Sequence, residues 1–173
     1  YSVIKHRLFA PLVVAIGLIV GGVIMIIVDN ITLKKQLAGY ERYTVEDLDG
    51  ITYRQALGVG VAQCFAVWPG ISRSGATIVG GILSGLSYRV AAEYSFIIAV
   101  PVMAMATGYD VLKSWHALSL AEVFFFLLGG ILSFFVAIFS IKLFLYILKK
   151  IRLMPFGWYR IVLGIIVLLL LYK

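Results

Sequence analysis

The chain has 173 residues, of which 62% are hydrophobic and 13% are charged. Soluble domains carry about 25% charged residues, so this composition excludes a soluble globular domain and indicates an all-α integral membrane protein. The net charge is +7, but no basic stripe with interleaved aromatic side chains is present, and we expect no nucleic-acid partner. Membrane orientation and contact with anionic membrane lipids explain the positive balance better.

The first predicted element is a membrane-spanning helix over residues 12–28. A polar loop over residues 29–52 is expected to follow, with Asp29 ending the first helix and Thr52 capping the second. A basic stretch precedes the first helix without an initiator methionine, so we expect the chain to begin partway through a longer protein. The first helix has a small-residue face suited to close helix packing, made by Gly17, Gly21 and Gly22.

Two short helices are predicted next, over residues 53–68 and 76–86, around a break rich in glycine, proline and serine. The first would be roughly 24 Å long at about 1.5 Å per residue, which is short of a full crossing. We therefore predict a re-entrant helical hairpin over residues 53–86, with its tip inside the protein. Residues 1–173 are interpreted as one membrane domain that contains this hairpin.

Three more spanning helices complete the prediction, over residues 88–113, 119–150 and 155–173, for a total of about four spans. Ser119 and Glu122 fit a capping box at the start of the second of these. If the hairpin returns to its own side, most basic residues share one face, which the positive-inside rule makes cytoplasmic. These residues are Lys34, Lys35, Arg42, Arg54, Arg89, Lys149, Lys150, Arg152 and Arg160.

The break itself, Pro-Gly-Ile-Ser-Arg-Ser-Gly over residues 69–75, is the leading candidate site. Arginine is costly at membrane depth and usually functional there. Glycines, a helix start and a guanidinium together suit an oxyanion such as phosphate. We expect Arg73 to neutralise charge on a transferring phosphoryl group, and Ser72 and Ser74 to donate hydrogen bonds, with a serine nucleophile left open. The alternative is a tight turn whose arginine pairs with a carboxylate in the core.

Three residues outside this break have two interpretations each. Thr77 would add a hydroxyl to the site, or bond back to the carbonyls of its own helix. Gln63 would reach the site or bond a neighbouring helix. Glu93 would orient Arg73, or form a surface pair with Arg89 four residues earlier.

Metal and thiol chemistry have little support in this sequence. His6 and His116 are far apart and show no metal-ligand spacing to a cysteine or a carboxylate, so no metal ligands are assigned. Cys64 is the single cysteine, and its apolar neighbours predict a buried small hydrophobic side chain. No carboxylate pair or histidine lies beside the arginine motif, although phosphoric anhydride hydrolysis commonly uses such groups.

With these residues in view, the chain resembles the BacA-type undecaprenyl-diphosphate phosphatase family. The resemblance covers essentially the whole chain, and the PGxSRSG segment with its flanks is highly specific. The matching segments are Tyr-Arg-Gln-Ala at 53–56, Gln-Cys at 63–64, Trp-Pro-Gly-Ile-Ser-Arg-Ser-Gly-Ala-Thr at 68–77, Glu-Tyr-Ser-Phe at 93–96, Ala-Val-Pro at 99–101, Pro-Phe at 155–156 and Tyr-Arg at 159–160.

The resemblance implies hydrolysis of undecaprenyl diphosphate to the monophosphate in the bacterial cytoplasmic membrane, which recycles a lipid carrier for cell-wall synthesis and links the protein to bacitracin resistance. It implies an inverted-repeat fold, of which this chain is one half, and a divalent cation, Mg²⁺ or Ca²⁺. It also implies catalytic roles for Ser72, Arg73 and Ser74. The implied substrate-binding set is Gly70, Ser72, Arg73, Ser74, Gly75, Thr77 and Gln63.

The family's second motif, which holds paired glutamates, a serine-rich turn and a histidine, is not in this sequence. Because that motif is thought to supply the metal site and the acid or base, we expect no catalysis by this chain alone. Two other functions are open: a lipid-phosphate transporter that uses the same anion pocket without hydrolysis, and a non-catalytic membrane scaffold. The sequence also leaves open whether the chain forms a homodimer.

Overall fold

The computed structural model describes residues 10–40, 43–114 and 120–172. In these ranges the chain forms six α-helices and one short 3-10 turn, Leu48–Gly50. Four helices are long and apolar enough to cross a membrane, which confirms the predicted all-α fold with about four spans. The helices are α1 Pro11–Leu37, α2 Tyr53–Phe65, α3 Arg73–Leu83, α4 Tyr88–Ser114, α5 Leu120–Ile151 and α6 Met154–Leu171. His6, Arg42, His116 and Ser119 lie outside the described ranges.

Helix α1 continues nine residues beyond the predicted span, so the expected loop from Asp29 is wrong over residues 29–37. Asp29 does not end the helix but lies within it, with 3% of its surface exposed. Its carboxylate accepts hydrogen bonds from the Tyr88 hydroxyl and, at 3.1 Å, from the backbone N–H of Met154. Because partners on α4 and at the start of α6 satisfy this buried carboxylate, the helix has no need to end there.

Helices α1 and α6 pack closely along a glycine-lined contact, as the predicted small-residue face requires. A Cβ atom added at Gly22 would lie 2.6 Å from the carbonyl oxygen of Gly157, and one added at Gly164 would lie 3.0 Å from that of Ala15. Side chains at these positions would push the two backbones apart. The glycines therefore set the separation of the two helices, as small residues do at contacts between membrane helices.

Helix α3 is the most enclosed part of the described structure. Seven of its 11 residues are buried, among them Ile78, Val79 and Ile82, and they pack into a core shared with α2 and α4. Glycines again permit close approach, since a Cβ at Gly81 would lie 2.8 Å from the Cβ of Ala91. The helix begins at Arg73, three residues before the predicted start. The arginine motif is thus fixed to the first turn of a buried helix.

Helices α2 and α3 pack against each other as a hairpin, with 13 and 11 residues. Thr52 caps α2 as predicted: the Gln55 backbone N–H donates to Thr52 Oγ1 at 3.4 Å, and the Thr52 N–H donates to Gln55 Oε1 at 2.9 Å. The Gln55 amide also donates to the carbonyl of Ser84 at 3.1 Å, which joins the outer ends of the two helices. Entry of this hairpin into the membrane stays a prediction.

Cys64 is exposed, so the prediction of a buried side chain is wrong. Its thiol contacts the carbonyl oxygen of Gly60 at 3.5 Å, one turn earlier in α2. The buried residue of α2 is Val59. The two positions are five residues apart in the sequence, and at 3.6 residues per turn that spacing turns Cys64 well away from the buried face.

Candidate functional site

The arginine motif folds as a tight turn that leads directly into α3. Gly70 has a φ of +91°, a conformation that favours glycine. A Cβ atom there would also collide with the backbone of Val14 in α1. Ser72 is the N-cap of α3, and its Oγ accepts a hydrogen bond from the Gly75 N–H at 3.1 Å.

The hydroxyls of Ser72 and Ser74 are hydrogen-bonded to each other at 3.1 Å, and either can be the donor. Because the Gly75 N–H is occupied by the cap, an anion at this helix start would meet the two hydroxyls and the remaining free N–H groups. The bond between the two serines uses one of their two hydroxyl hydrogens, so the other hydrogen can be donated to a ligand. The geometry therefore fits hydroxyl donors, and whether either serine acts as a nucleophile stays a prediction.

Arg73 is the first residue of α3 and is half-buried. Its Nη1 atom is inaccessible to solvent and has no hydrogen-bond partner within the described ranges. The same part of the chain holds no carboxylate within ion-pair distance of Arg73, so the alternative of a core ion pair is wrong there. A buried guanidinium nitrogen without an acceptor is costly, and an acceptor from beyond the described residues would remove that cost.

A second arginine, Arg160, belongs to the site, and the sequence interpretation missed it. The positive-inside rule assigns Arg160 to the cytoplasmic face, but the structure leaves only 7% of its surface exposed. Its Nη2 donates to the carbonyl of Gly70 at 2.6 Å, and its Nε is buried without a partner among the described residues. The sequence contains a feature that indicates a functional role for Arg160. This arginine interrupts the apolar sequence of α6, much as Arg73 interrupts the hairpin.

Two cavities meet at this helix start, with volumes of about 470 Å³ and about 280 Å³. Both are lined by Met25, Ser72, Gly75 and Arg160, and the smaller one also by Ser74. Arg73 lines neither of them. The structure therefore brings the serines and Arg160 to a common space, with Arg73 in the same helical turn.

Thr77 is buried beneath the site and does not line either cavity. Its Oγ1 lies 3.0 Å from the carbonyl of Arg73 and 3.1 Å from that of Ser74, so the predicted bonding back to its own helix is confirmed. A 2.6 Å hydrogen bond to the hydroxyl of Ser95 ties the same turn to α4. These contacts make Thr77 a support for the first turn, and its contact with substrate stays a prediction.

The remaining predicted residues lie further from the cavities. Gln63 is half-buried on α2 and lines neither cavity, so its role in binding stays a prediction. Glu93 pairs with Arg89, Nε to Oε1 at 2.7 Å, near an exposed surface. The surface pair is therefore confirmed, and the hypothesis that Glu93 orients Arg73 is wrong because its carboxylate is held by Arg89.

The arrangement can hold a polyanion but lacks a complete hydrolytic site within the described residues. Two guanidinium groups and two hydroxyls provide positive charge and hydrogen-bond donors. In the same ranges there is no group of three or more histidine, cysteine or acidic side chains that could hold a metal ion. The residues present therefore do not fit the divalent cation that the resemblance implies.

The chain is similar to curated proteins that are named undecaprenyl-diphosphatase. Proteins named undecaprenyl-diphosphatase are 49% identical in Bacillus anthracis, 46% in Bacillus velezensis (strain DSM 23117 / BGSC 10A6 / LMG 26770 / FZB42) and 43% in Bacillus subtilis (strain 168). The alignments cover 96%, 96% and 97% of this chain and 60%, 58% and 58% of the respective relatives. The chain thus spans about 60% of the length of the curated relatives it matches. None of these three names supports the transporter alternative.

The family comparison covers more of the chain than any single motif does. The family model described as bacitracin resistance protein BacA matches residues 1–166. This range contains the arginine motif, the hairpin, Arg160 and all four helices of spanning length, apart from the end of α6. With four apolar helices of spanning length, the chain is a multi-pass membrane protein, and it belongs to the BacA family.

Proposed function

We propose that this chain supplies the diphosphate-binding part of a membrane phosphatase that converts undecaprenyl diphosphate to undecaprenyl phosphate and phosphate. The observation that carries the proposal is the start of α3, where buried nitrogens of Arg73 and Arg160 lack acceptors among the described residues. The relatives named undecaprenyl-diphosphatase support the choice of substrate. Apolar helices around the site would suit the hydrocarbon chain of such a lipid.

In this proposal the two arginines act on the charge of the diphosphate. Hydrolysis breaks the bond between the terminal phosphorus and the bridging oxygen, and negative charge grows on that oxygen and on the transferring phosphoryl group. Guanidinium groups held in a partly dehydrated site would stabilise that charge. Ser72 and Ser74 would donate hydrogen bonds to the phosphoryl oxygens, and the Gly70 carbonyl would hold Arg160 in place.

A divalent cation, Mg²⁺ or Ca²⁺, is proposed as the cofactor of the whole enzyme. It would supply further charge neutralisation and activate water. Since no ligand group of three or more histidine, cysteine or acidic side chains is found in the described ranges, we propose that its ligands come from the part of the enzyme outside them. This chain would then supply cationic and hydroxyl groups, and the other part would supply the acidic groups.

The proposed location is the bacterial cytoplasmic membrane, where the reaction would recycle a lipid carrier for cell-wall polymers. The four helices of spanning length and the BacA family support a multi-pass protein in that membrane. The proposed partners are the polyprenyl diphosphate and the surrounding membrane lipids. A homodimer is proposed as an assembly to be examined by its size in detergent.

The test joins the chain to the portion of the Bacillus anthracis relative that it does not match, and this fusion is called the completed protein. Phosphate release from a prenyl diphosphate with Mg²⁺ is measured for the completed protein and for the chain alone. We expect release by the completed protein only, and a loss of at least about hundredfold in Arg73→Ala. Arg54→Ala, at an exposed position at the start of α2, is the matched control and should retain activity.

Three results would contradict the proposal. Phosphate release by the chain alone would show that it needs no second part. Equal activity of Arg73→Ala and Arg54→Ala would remove Arg73 from the site. Binding of the prenyl diphosphate by the completed protein with movement across vesicles, but without phosphate release, would favour the transporter.

A further inference from the structure

A buried hydroxyl on α4 contacts the first turn of α3, the turn that carries the arginine motif. Ser95 Oγ lies 2.6 Å from Oγ1 of Thr77, and the two residues are 4% and 1% exposed. Neither residue lines the two cavities at the anion site. Because Ser95 does not reach these cavities, its effect on the anion site must pass through Thr77.

Small residues bring α4 close enough to α3 for this contact. A Cβ atom added at Gly81 would lie 2.8 Å from the Cβ of Ala91. Thr77 comes four residues before Gly81, and Ser95 comes four residues after Ala91. The hydroxyl pair therefore lies about one turn further along the same contact between the two helices. Its position is set by helix packing and does not depend on a long flexible side chain.

The number of hydroxyl hydrogens fixes the direction of the bond between Ser95 and Thr77. Thr77 has one hydrogen, and its Oγ1 lies 3.0 Å and 3.1 Å from the carbonyl oxygens of Arg73 and Ser74. Because a carbonyl cannot donate, Thr77 gives its hydrogen to these oxygens, and the 2.6 Å contact then requires Ser95 to donate. The reverse direction would leave the buried Ser95 hydrogen without an acceptor among the described residues, which is costly. Ser95 is therefore the donor to Thr77.

This chain of hydrogen bonds ends on the backbone of the anion site. Its last acceptors are the carbonyls of Arg73 and Ser74, whose side chains provide a guanidinium and a hydroxyl to the site. In the same turn, the Ser72 cap holds the Gly75 N–H. The first turn of α3 is thus held from within by its cap and from α4 by Ser95. Together these contacts limit how far the Arg73 guanidinium can shift.

We propose that Ser95 is a positioning residue of the anion site, which holds the first turn of α3 in the geometry that stabilises the transferring phosphoryl group. This inference rests on the proposed function and adds to it a residue that does not touch the substrate. A small displacement of a charged group weakens transition-state binding more than ground-state binding, because the transition state needs closer alignment. Loss of the Ser95 hydroxyl should therefore lower kcat more than it raises KM.

The first test removes the Ser95 hydroxyl and then restores it. Ser95→Ala deletes the donor, and Ser95→Thr keeps a hydroxyl at the same position. Thr32→Ala is the matched control, because the Thr32 hydroxyl also bonds back to a carbonyl of its own helix, that of Val28 at 2.8 Å, and lines neither cavity. Phosphate release from a prenyl diphosphate with Mg²⁺ gives kcat and KM for the completed protein and the three variants.

We expect Ser95→Ala to lower kcat about tenfold and to change KM less than about twofold, and we expect Ser95→Thr to recover most of the loss. Thr32→Ala should leave both constants unchanged. Equal kcat for Ser95→Ala and Thr32→Ala, or a loss that Ser95→Thr does not reduce, would overturn the positioning role but leave the proposed function standing. Absence of phosphate release by the unmodified completed protein would overturn the proposed function, and with it this inference.

A second test examines the first turn of α3 without an activity assay. Amide hydrogen exchange is measured by mass spectrometry on the completed protein, on Ser95→Ala and on Thr32→Ala, with fragments that separate residues 73–77 from residues 80–83. We expect faster exchange at residues 73–77 in Ser95→Ala alone, because the turn opens locally when its bond to α4 is lost. Unchanged exchange at these residues would overturn the proposal. Faster exchange throughout α3 and α4 would show a general loss of structure and would also overturn it.

Discussion

The guanidinium of Arg160 occupies space that a glycine leaves open. A Cβ atom at Gly21 would lie 2.6 Å from Arg160 Nη2, the atom that donates to the Gly70 carbonyl. A glycine on α1, an arginine on α6 and the turn before α3 thus form one contact. The sequence placed Gly21 correctly on a packing face but gave no indication that the packed group would be a cation.

Gly21→Ala is therefore expected to weaken the site while leaving the fold intact. The added methyl group displaces the end of a flexible side chain, which costs little stability, but it breaks the bond from Arg160 to Gly70. Loss of about 1 kcal/mol should reduce diphosphate affinity about fivefold, as measured by titration calorimetry on the completed protein. Gly129→Ala, in α5 with open space around it, is the control. Equal affinities of the two variants would contradict this role.

At the scale of helices, Asp29 joins three elements that are distant in sequence. Its carboxylate, on α1, accepts from Tyr88 on α4 and from the backbone N–H of Met154 in the first turn of α6. A carboxylate near a helix N-terminus is favourable because of the helix dipole. The contact fixes the start of α6, which carries Arg160 two turns later.

Removal of this carboxylate is expected to destabilise the described helices as a unit. Asp29→Leu leaves one buried and one partly buried donor without acceptors, and we expect the free energy of unfolding to fall by about 2–4 kcal/mol. Asp29→Asn keeps one acceptor oxygen and should cost less. Unfolding in detergent, followed by circular dichroism, gives the comparison. A leucine variant as stable as the unmodified protein would show that the contact contributes no stability.

The same residues show what the sequence could predict. Hydropathy and capping signals located the spans, the hairpin helices and the cap at Thr52, because these features depend on local chemistry. The extension of α1 past Asp29 and the burial of Arg160 depend on partners that are 59 to 125 residues away in the chain. Such tertiary contacts reverse the local expectation that a charge marks a helix end or a surface.

For the whole molecule, the described helices divide into a packed group and one outlying helix. Helix α3 packs against α1, α2 and α4, and α1 packs against α6. The most apolar window of α5 has no buried residue, although Leu148 near its end is buried and Phe144 contacts the rings of Phe96 and Phe156. The anion site lies within the packed group, at the junction of α1, α3 and α6.

The central claim is that Arg73 at the start of α3 and Arg160 on α6 bind the diphosphate group. The most direct measurement is titration of inorganic diphosphate into the completed protein and into its Arg73→Gln and Arg160→Gln variants. Arg89→Gln, which removes an exposed arginine paired with Glu93, is the matched control. We predict about tenfold to hundredfold weaker binding for each of the first two variants and unchanged binding for the control. Binding by all three variants as tight as that of the unmodified protein would contradict the account.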